Sequence, residues 1–561
     1  MTLEIADTHM TSKVMDHHGL IAGLCKELKI AERINDRIGS LDPRRIVQPG
    51  LAVVAMIING LGFTNRRLYL TPQFFESKAV GQLLEEGIKA ADLNDHALGK
   101  ALDEISDYGV SRLYTDIAFD IATEKNLLGS LAHIDSSSFS LTGSYENKKA
   151  EIEADTETIE VTYGYSKDHR PDLKQVMISM ATTGEAQIPF FFEPQNGNSS
   201  DKESFHESIA AIEKFKSELK KSGHEFIWVA DSALYSKTKL LASNLYRWVS
   251  RVPESIAEAK NLLEQKDSDF KWTEIEKGYR YTEQKSLYGG IEQRWLLIYS
   301  EQAYKRESKT FEKKILKQEE QADKDFWHLG REVFSCKEDS QKSVEVLEKK
   351  YPFHDLSFEL EEIKKFIGKG RPKPGEEKSV VGFKLLIKKV KNQTAIDQYL
   401  NRKGRFIVAT NRLNRDELSS EKLFEAYKDQ QGVERGFRFF KDPWFMVDSF
   451  FVKKRSRIEA LMMVMTLCLL VYNYGQYQLR KALGEKKETL PNQLSKPVTN
   501  PTFKWVFQLM EGIAIVKLLD PLTQSVRALI TNLSSLRVKI IRLLGQAVCK
   551  MYGIQMEIAG M

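Results

Sequence analysis

The sequence predicts an α/β protein in which a mixed sheet flanked by helices follows a helical N-terminal part. Apolar residues recur at three- and four-residue spacing up to about residue 130, several short β-rich runs come next, and helical and β-rich runs then alternate. Consecutive strands followed by alternating helix and strand are typical of a sheet covered by helices. The length of 561 residues leaves room for three or four folded units of about 150 residues each.

Residues 1–130 are predicted to form an all-α domain, with helices over residues 21–38, 51–61 and 92–120. This domain carries 14 Lys and Arg against 18 Asp and Glu, a net charge of −4, so it would need a local basic patch to bind DNA. The candidates for that patch are Arg44, Arg45, Arg66 and Arg67. The alternative is that they are ordinary surface arginines.

Residues 131–255 are predicted to form the first part of an α/β core. The predicted strands cover residues 131–141, 159–165, 173–182, 188–192, 226–230 and 246–252. The predicted helices between them cover residues 201–221 and 236–244.

Residues 256–404 are predicted to form a highly charged insertion domain that contains strands. Residues 272–282 and 293–300 form a hairpin around Gly289 and Gly290 in this prediction, and residues 301–320 form a helix. Residues 405–482 complete the core with a strand over 405–410 and a helix that ends at Asp442, because Pro443 cannot continue it. The apolar run over 460–472 has 13 residues, too few to span a bilayer, and predicts a buried helix.

Residues 483–561 are predicted to form a basic helical tail. From residue 451 onward the chain has 16 Lys and Arg against 6 Asp and Glu, a net charge of +10. Such a segment favours a polyanion partner such as nucleic acid, although many helical tails of other proteins have the same composition. The four cysteines lie far apart in sequence, which argues against a disulfide framework and a thiolate zinc site. Without an apolar export signal at the start, the sequence predicts a cytoplasmic protein.

Three acidic residues are candidates for catalytic chemistry because of their positions. Asp135 lies within the first predicted strand, and Asp231 directly follows the apolar run that ends at Ala230. Ligands of open α/β sheets bind at the carboxyl ends of strands, which favours a functional role for Asp231. Glu434 lies on the last helix before Pro443. The alternatives are a strand carboxylate paired with a nearby serine for Asp135 and a solvated helix residue for Glu434.

The helix that carries Glu434 also carries a polar stripe. Its members fall within roughly 60° of one another at about 100° per residue. They are Tyr427, Gln430, Glu434 and Lys441. A stripe with a phenol, an amide, a carboxylate and an amine predicts the wall of a polar site rather than a hydrophobic seam.

Together these residues resemble the DDE transposases of bacterial insertion sequences, in the group named for a Tyr-Arg-Glu-Lys signature. That signature reads Tyr427, Gln430, Glu434 and Lys441 here, so glutamine replaces the arginine. The strings over residues 59–63, 68–70, 92–95 and 164–175 also resemble one subgroup of this family. The resemblance implies a ribonuclease H-like core interrupted by a large insertion. The spacings agree, since 96 residues separate Asp135 from Asp231 and 203 separate Asp231 from Glu434.

The family resemblance implies a two-metal mechanism of DNA cleavage and strand transfer. Asp135, Asp231 and Glu434 would hold two Mg²⁺ ions, with Mn²⁺ as a substitute and Asp135 as the bridging ligand. DNA contacts are expected from Tyr427, Gln430, Arg438, Lys441, His169, Arg170 and Lys174. Trp272 and Trp295 are candidates for stacking on a flipped base, with a buried hairpin tryptophan as the alternative.

The partners implied by the resemblance are the terminal inverted repeats of a mobile element and a target DNA. Pairing two ends requires two active sites, so a homodimer in a synaptic complex is expected, in a bacterial or archaeal cytoplasm and without a membrane. Two other functions remain open at this point. One is a non-catalytic DNA-binding protein derived from a transposase, and the other is a ribonuclease H-like nuclease.

Overall fold

The computed structural model describes residues 10–39, 42–64, 68–143, 145, 158–167, 169–199, 201–218, 223–243, 245–367, 375, 377–442, 445, 454–519 and 526–556. The chain divides into two compact units. The first comprises Met1–Val249 with Glu425–Met561, and the second comprises Ser250–Phe424.

The first unit begins with a strand and a group of helices. Their bounds are β1 (Met10–Val14), α1 (His18–Glu27), α2 (Ile30–Ile38), α3 (Pro49–Gly60), α4 (Thr71–Glu76), α5 (Val80–Leu83), α6 (Asp95–Tyr108) and α7 (Val110–Glu124). The helix predicted over 21–38 is divided, because Lys29 adopts a left-handed φ of 52° between α1 and α2. Arg37 on α2 forms ion pairs with Asp116 and Asp120 on α7. The head is therefore helical as predicted, apart from β1.

Five strands of the first unit form a mixed sheet in the order β4-β3-β2-β5-β6. Their bounds and those of the intervening helices are β2 (Leu131–Leu141), β3 (Lys174–Thr183), β4 (Ile188–Gln195), α8 (Asp201–Glu218), β5 (Ile227–Ala230), α9 (Lys237–Ser243) and β6 (Arg247–Arg251). Strand β3 runs antiparallel to β2 and β4, whereas β5 runs parallel to β2. This confirms the predicted mixed sheet flanked by helices. The strand predicted over 159–165 is wrong, because only Thr162 bridges to Gln175 there.

The core of the first unit is built around α16 (Arg455–Glu485), a helix of 31 residues. By length and composition this helix could cross a membrane, but 89% of its most apolar window is buried inside the protein. The buried helix predicted over 460–472 is confirmed. Two shorter helices precede it, α14 (Ser420–Asp429) and α15 (Gln431–Phe440), and α15 packs on β2 and β3.

The C-terminal segment folds back onto the N-terminal helices. Its elements are β13 (Leu490–Pro491), β14 (Pro497–Val498), α17 (Phe503–Leu509), β15 (Ala514–Leu519), β16 (Val526–Thr531), α18 (Ser535–Leu543) and α19 (Gln546–Met551). Strand β15 pairs with both β1 and β16, and the buried Tyr552 donates its hydroxyl to the carbonyl of Asp16. The prediction of a helical tail is wrong in this respect. A β-hairpin contributes to it, and pairing with β1 makes the segment part of the first unit.

The second unit covers a longer stretch of sequence, Ser250–Phe424, than the insertion domain predicted over residues 256–404. Its elements are α10 (Ala257–Glu264), β7 (Thr273–Glu276), β8 (Tyr279–Tyr288), β9 (Ile291–Ser300), α11 (Glu301–Leu329), α12 (Lys337–Lys350), β10 (His354–Lys365), β11 (Ser379–Lys391), α13 (Gln393–Asn401) and β12 (Arg405–Thr410). Strands β12, β9, β8 and β7 are neighbours in that order, and β10 pairs with β11. Gly289 and Gly290 join β8 to β9 with φ values of 66° and 78°, as a two-residue type I′ turn requires.

Candidate active site

Asp135 and Asp231 lie side by side at the carboxyl end of β5. The parallel register of β2 and β5 pairs Leu131 with Ile227 and His133 with Val229. Two residues further in the same register, Asp135 is level with Asp231, the residue that follows β5. Neighbouring strands are about 4.8 Å apart, so the backbones of the two aspartates are adjacent. The crevice beyond a strand end is the usual ligand site of an open α/β sheet.

Glu434 is brought to this edge because α15 is docked on β2. The side chain of Gln430, directly before α15, donates to the carbonyl oxygen of Ile134 at 3.0 Å and contacts Nδ1 of His133 at 3.2 Å. At the other end of α15, the ring of Phe440 packs 6.0 Å from that of Phe139. The helix therefore runs along β2 in the direction of the strand.

The contacts at the two ends of α15 determine which residues of β2 lie beside Glu434. Four helical residues advance about 6 Å, and a strand residue advances about 3.3 Å, so Glu434 lies about two strand residues beyond the His133–Ile134 contact. That position is level with Asp135 and Ser136. Side chains alternate along a strand, and since His133 and Phe139 both face α15, Asp135 faces it as well. Asp135 and Glu434 therefore lie on the side of the sheet that α15 covers.

Gly436 allows the close approach of α15 to the sheet. A Cβ atom at this position would lie 2.9 Å from the side chain of Met180 on β3 and 3.0 Å from that of Leu469 on α16. Met180 is the register partner of Asp135. A larger residue at 436 would have to displace these two side chains.

The three carboxylates differ in exposure. Asp135 is half-buried and accepts a hydrogen bond of 2.8 Å from the backbone N–H of Ser136, whereas Asp231 and Glu434 are exposed. Within the part of the chain that the structure describes, no three His, Cys, Asp or Glu side chains lie close enough to hold a metal ion. Among the described residues, the three carboxylates therefore do not form a closed cluster.

Burial keeps His133 neutral. It lowers the pKa of this histidine to about 4, with a smaller opposing effect from the hydrogen bond to Gln430. The Ile134 carbonyl can only accept, so the amide nitrogen of Gln430 faces it and the amide oxygen faces His133. His133 must then carry its proton on Nδ1 to complete the second bond.

The predicted DNA contact by Gln430 is wrong. Gln430 is only 7% exposed, and both polar atoms of its side-chain amide form hydrogen bonds with residues of β2. The glutamine in the signature position therefore holds a helix in place and does not face a ligand.

The single helix predicted through Tyr427 and Lys441 is divided at Gln430. Tyr427 is half-buried on α14, and Lys441 is the residue that ends α15. The Lys441 ammonium lies 5.6 Å from the centre of the Phe139 ring, and Arg438 is exposed one turn after Glu434. Arg438 therefore lies on the helix that carries Glu434, and Lys441 lies directly after its end.

The remaining cationic candidates lie before and at the start of β3. His169 and Arg170 are exposed, His169 has a left-handed φ of 56°, and Arg170 pairs with Asp172 at 2.7 Å. Lys174 is the first residue of β3 and donates to the carbonyl of Tyr145.

The two tryptophans of the second unit are not free aromatic platforms. Trp295 is completely buried and donates to Oε1 of Gln293 at 3.1 Å, so its predicted role in base stacking is wrong. Trp272 is half-buried, and the guanidinium of Arg280 lies 4.7 Å from the centre of its ring. A base could stack on that face only by displacing Arg280.

Sequence reasoning missed Lys167. Its backbone N–H donates to Oγ of Ser138 at 3.1 Å and its ammonium to the carbonyl of Ser136 at 2.7 Å, next to Asp135. The signal was available, since Lys167 lies within the string 164–175 and two residues before His169. Only the fold shows that this lysine, rather than its neighbours, contacts β2.

Comparisons with known proteins identify two matching family models and similar solved structures. Residues 128–471 match the family model described as a transposase DDE domain, and residues 10–119 match a domain of unknown function, DUF4277. No curated protein matches the chain. One similar solved structure is that of the piggyBac transposase synaptic complex with hairpin DNA. It has 10% sequence identity and a TM-score of 0.36, and the alignment covers 90% of this chain and 82% of that one.

Proposed function

The chain belongs to the transposase DDE domain family, whose model matches more than half of it, and we propose that it acts on an insertion sequence. In this proposal it binds the terminal inverted repeats, cuts the DNA there and joins the freed 3′ ends to a target. Two copies would act together on the two ends. The observation that supports the proposal is the hydrogen bonding of Gln430 to β2, the strand that carries Asp135, four residues before Glu434.

The residues at this edge fit a divalent cation. Their donors are carboxylate oxygens only, which are the ligands that Mg²⁺ prefers. Mutual repulsion disfavours a cluster of three carboxylates by themselves, and a divalent cation would supply the charge that draws them together. Asp135, Asp231 and Glu434 are the residues that would hold such ions. When bound, such ions activate the nucleophile and stabilise the leaving oxygen of phosphoryl transfer.

The cations on α15 would position the DNA backbone. Arg438 lies one turn beyond Glu434 on α15, and Lys441 directly follows the end of that helix. Phosphate contacts from these side chains would hold the strand beside the carboxylates without reading its sequence. Tyr427, which lies on the preceding helix α14, would donate a hydrogen bond from its hydroxyl to a phosphate.

The catalytic assignment is tested by neutralising the carboxylates one at a time. We expect Asp231→Asn and Glu434→Gln to abolish Mg²⁺-dependent cleavage of a matched element end while leaving DNA binding intact. The control is Glu425→Gln, another exposed glutamate of the same helical pair, which should cleave at the rate of the unaltered protein. Unchanged cleavage by either active-site variant would refute the assignment.

The products of the same reaction separate the three functions that the sequence leaves open. A transposase joins the cut end to a second duplex, and that joined product should appear with the unaltered protein and Mg²⁺. Cleavage of an RNA–DNA hybrid without any joined product would instead indicate a nuclease. Binding without either reaction would indicate a protein that has lost its catalytic activity.

A further inference from the structure

Two strongly exposed tyrosines lie close to the proposed catalytic edge. Tyr165 is 86% exposed and Tyr163 is 58% exposed. Rings this exposed contribute little to packing, since burial of an aromatic side chain is what stabilises a fold. A structural role does not account for them.

The backbone that carries these rings is firmly held. Thr162 and Gln175 exchange two backbone hydrogen bonds of 3.2 and 2.8 Å. The buried amide of Gln175 donates to the carbonyl oxygens of Tyr165 at 3.2 Å and Gly197 at 2.7 Å. Between the tyrosines, a Cβ atom at Gly164 would lie only 2.1 Å from the carbonyl oxygen of Gly197. The two rings therefore project from a rigid support.

The same segment reaches the strand that carries Asp135. Two residues after Tyr165, Lys167 contacts Ser138 and Ser136 on β2. Two residues of chain span at most about 7 Å, and three strand residues span about 10 Å, so the rings lie within a few nucleotides of Asp135 along a DNA strand. Lys167 and Arg170 add positive charge beside them, although Asp172 pairs with Arg170 and offsets part of it.

We propose that Tyr163 and Tyr165 form a stacking platform for unpaired bases of a DNA strand that enters or leaves the catalytic edge. Base stacking on an aromatic face tolerates any sequence, and nearby cations follow the backbone, which is the chemistry of single-strand binding. The target is single-stranded DNA, such as the frayed or cut end of an element. This inference rests on the proposed function for the identity of the DNA, but its test does not require cleavage.

The experiment measures binding of a fluorescent oligo(dT) of about 12 nucleotides, a length in the range of single-strand sites, in buffer with EDTA. Tyr165→Ala should weaken binding about 5- to 150-fold, the range that stacking of a base on one ring provides. Tyr165→Phe keeps the ring and should bind within about twofold of the unaltered protein. Leu245→Ala is the matched control, because Leu245 is 87% exposed, and it should bind normally.

A second readout reports stacking directly. The fluorescence of 2-aminopurine placed in the oligonucleotide should be quenched by the unaltered protein and by Tyr165→Phe, and much less by Tyr165→Ala. Equal binding by Tyr165→Ala and the unaltered protein, or equal loss in Tyr165→Phe and Tyr165→Ala, would overturn the proposal. Because no cleavage is involved, these results are independent of those for Asp231→Asn. Active Asp231→Asn would refute the catalytic assignment and leave the stacking result untouched.

Discussion

Replacing Gln430 by alanine should separate the stability of the fold from the placement of Glu434. The variant loses both amide contacts and leaves the buried Nδ1–H of His133 and the carbonyl of Ile134 without their partner. Each buried polar group left unpaired costs about 1–3 kcal/mol, so the loss of stability from the two groups is about 2–6 kcal/mol. At about 2–4 °C per kcal/mol for a large domain, Tm should fall by about 4–24 °C and the protein should still fold at room temperature.

The effect on catalysis should be larger than the effect on stability. Without the Gln430 contact, α15 is no longer held to β2 at the end next to Glu434. A displacement of about 1 Å at a reacting group can cost about 100-fold in rate, so cleavage of a matched element end should fall by at least that factor. The measurements are a thermal melt by circular dichroism and single-turnover cleavage with Mg²⁺ well below Tm.

Gln431 provides the control for this experiment. It is the exposed neighbour of Gln430, and Gln431→Ala should change stability by no more than about 0.5 kcal/mol and leave cleavage unchanged. An unaltered Tm and rate in Gln430→Ala would refute the docking argument. Gln430→Arg introduces the residue of the family signature, and we expect it to destabilise the buried site. Faster cleavage in that variant would show that position 430 contacts phosphate after all.

Three further predictions concern pH, salt and packing. The pKa of His133 is about 4 in the folded protein and about 6.5 when unfolded, so stability from its neutral form is present above pH 6.5 and lost as the pH falls towards 4. At 1.36 kcal/mol per pKa unit, the free energy of unfolding falls by at most about 3 kcal/mol. Below pH 6.5 the free energy of unfolding of His133→Gln should therefore fall less steeply with decreasing pH than that of the unaltered protein, and an unchanged slope would contradict this. Affinity for element ends should fall steeply with salt, and Lys441→Met should reduce the slope of log affinity against log salt by about 1, whereas an unchanged slope would exclude a phosphate contact. Gly164→Ala should lower stability by about 1–3 kcal/mol in a thermal melt, because its Cβ would meet the carbonyl of Gly197, and an unchanged Tm would show that the segment can move.

The residue types at the candidate site were predictable because they follow local patterns. An aspartate directly after a buried β-rich run marks a strand end, and Asp231 lies at one. The hairpin at Gly289 and Gly290 was predictable for the same reason, since a two-residue turn with positive φ demands glycine. Local chemistry therefore predicted the acids, the mixed sheet and that turn.

The errors came from long-range contacts. Position 430 is polar and lies on a helix, which suggested a surface contact, yet its partners are about 300 residues earlier in the chain. The local sequence around Trp295 is compatible with either a buried or an exposed tryptophan in a hairpin. Only the packing around it shows that it is buried. The pairing of β15 with β1 joins residues about 500 positions apart, so composition alone suggested a separate tail.

The amino-acid sequence by itself determined the helical head, the alternating strands and helices, and the three acidic residues whose order and spacing match a DDE transposase. Tertiary structure alone decided that Gln430 anchors α15, that Lys167 contacts β2 and that Tyr163 and Tyr165 face solvent beside the site. The physical reason is that periodicity and turn chemistry act between near neighbours in sequence. Burial and hydrogen-bond partners depend on which distant segments the folded chain brings together.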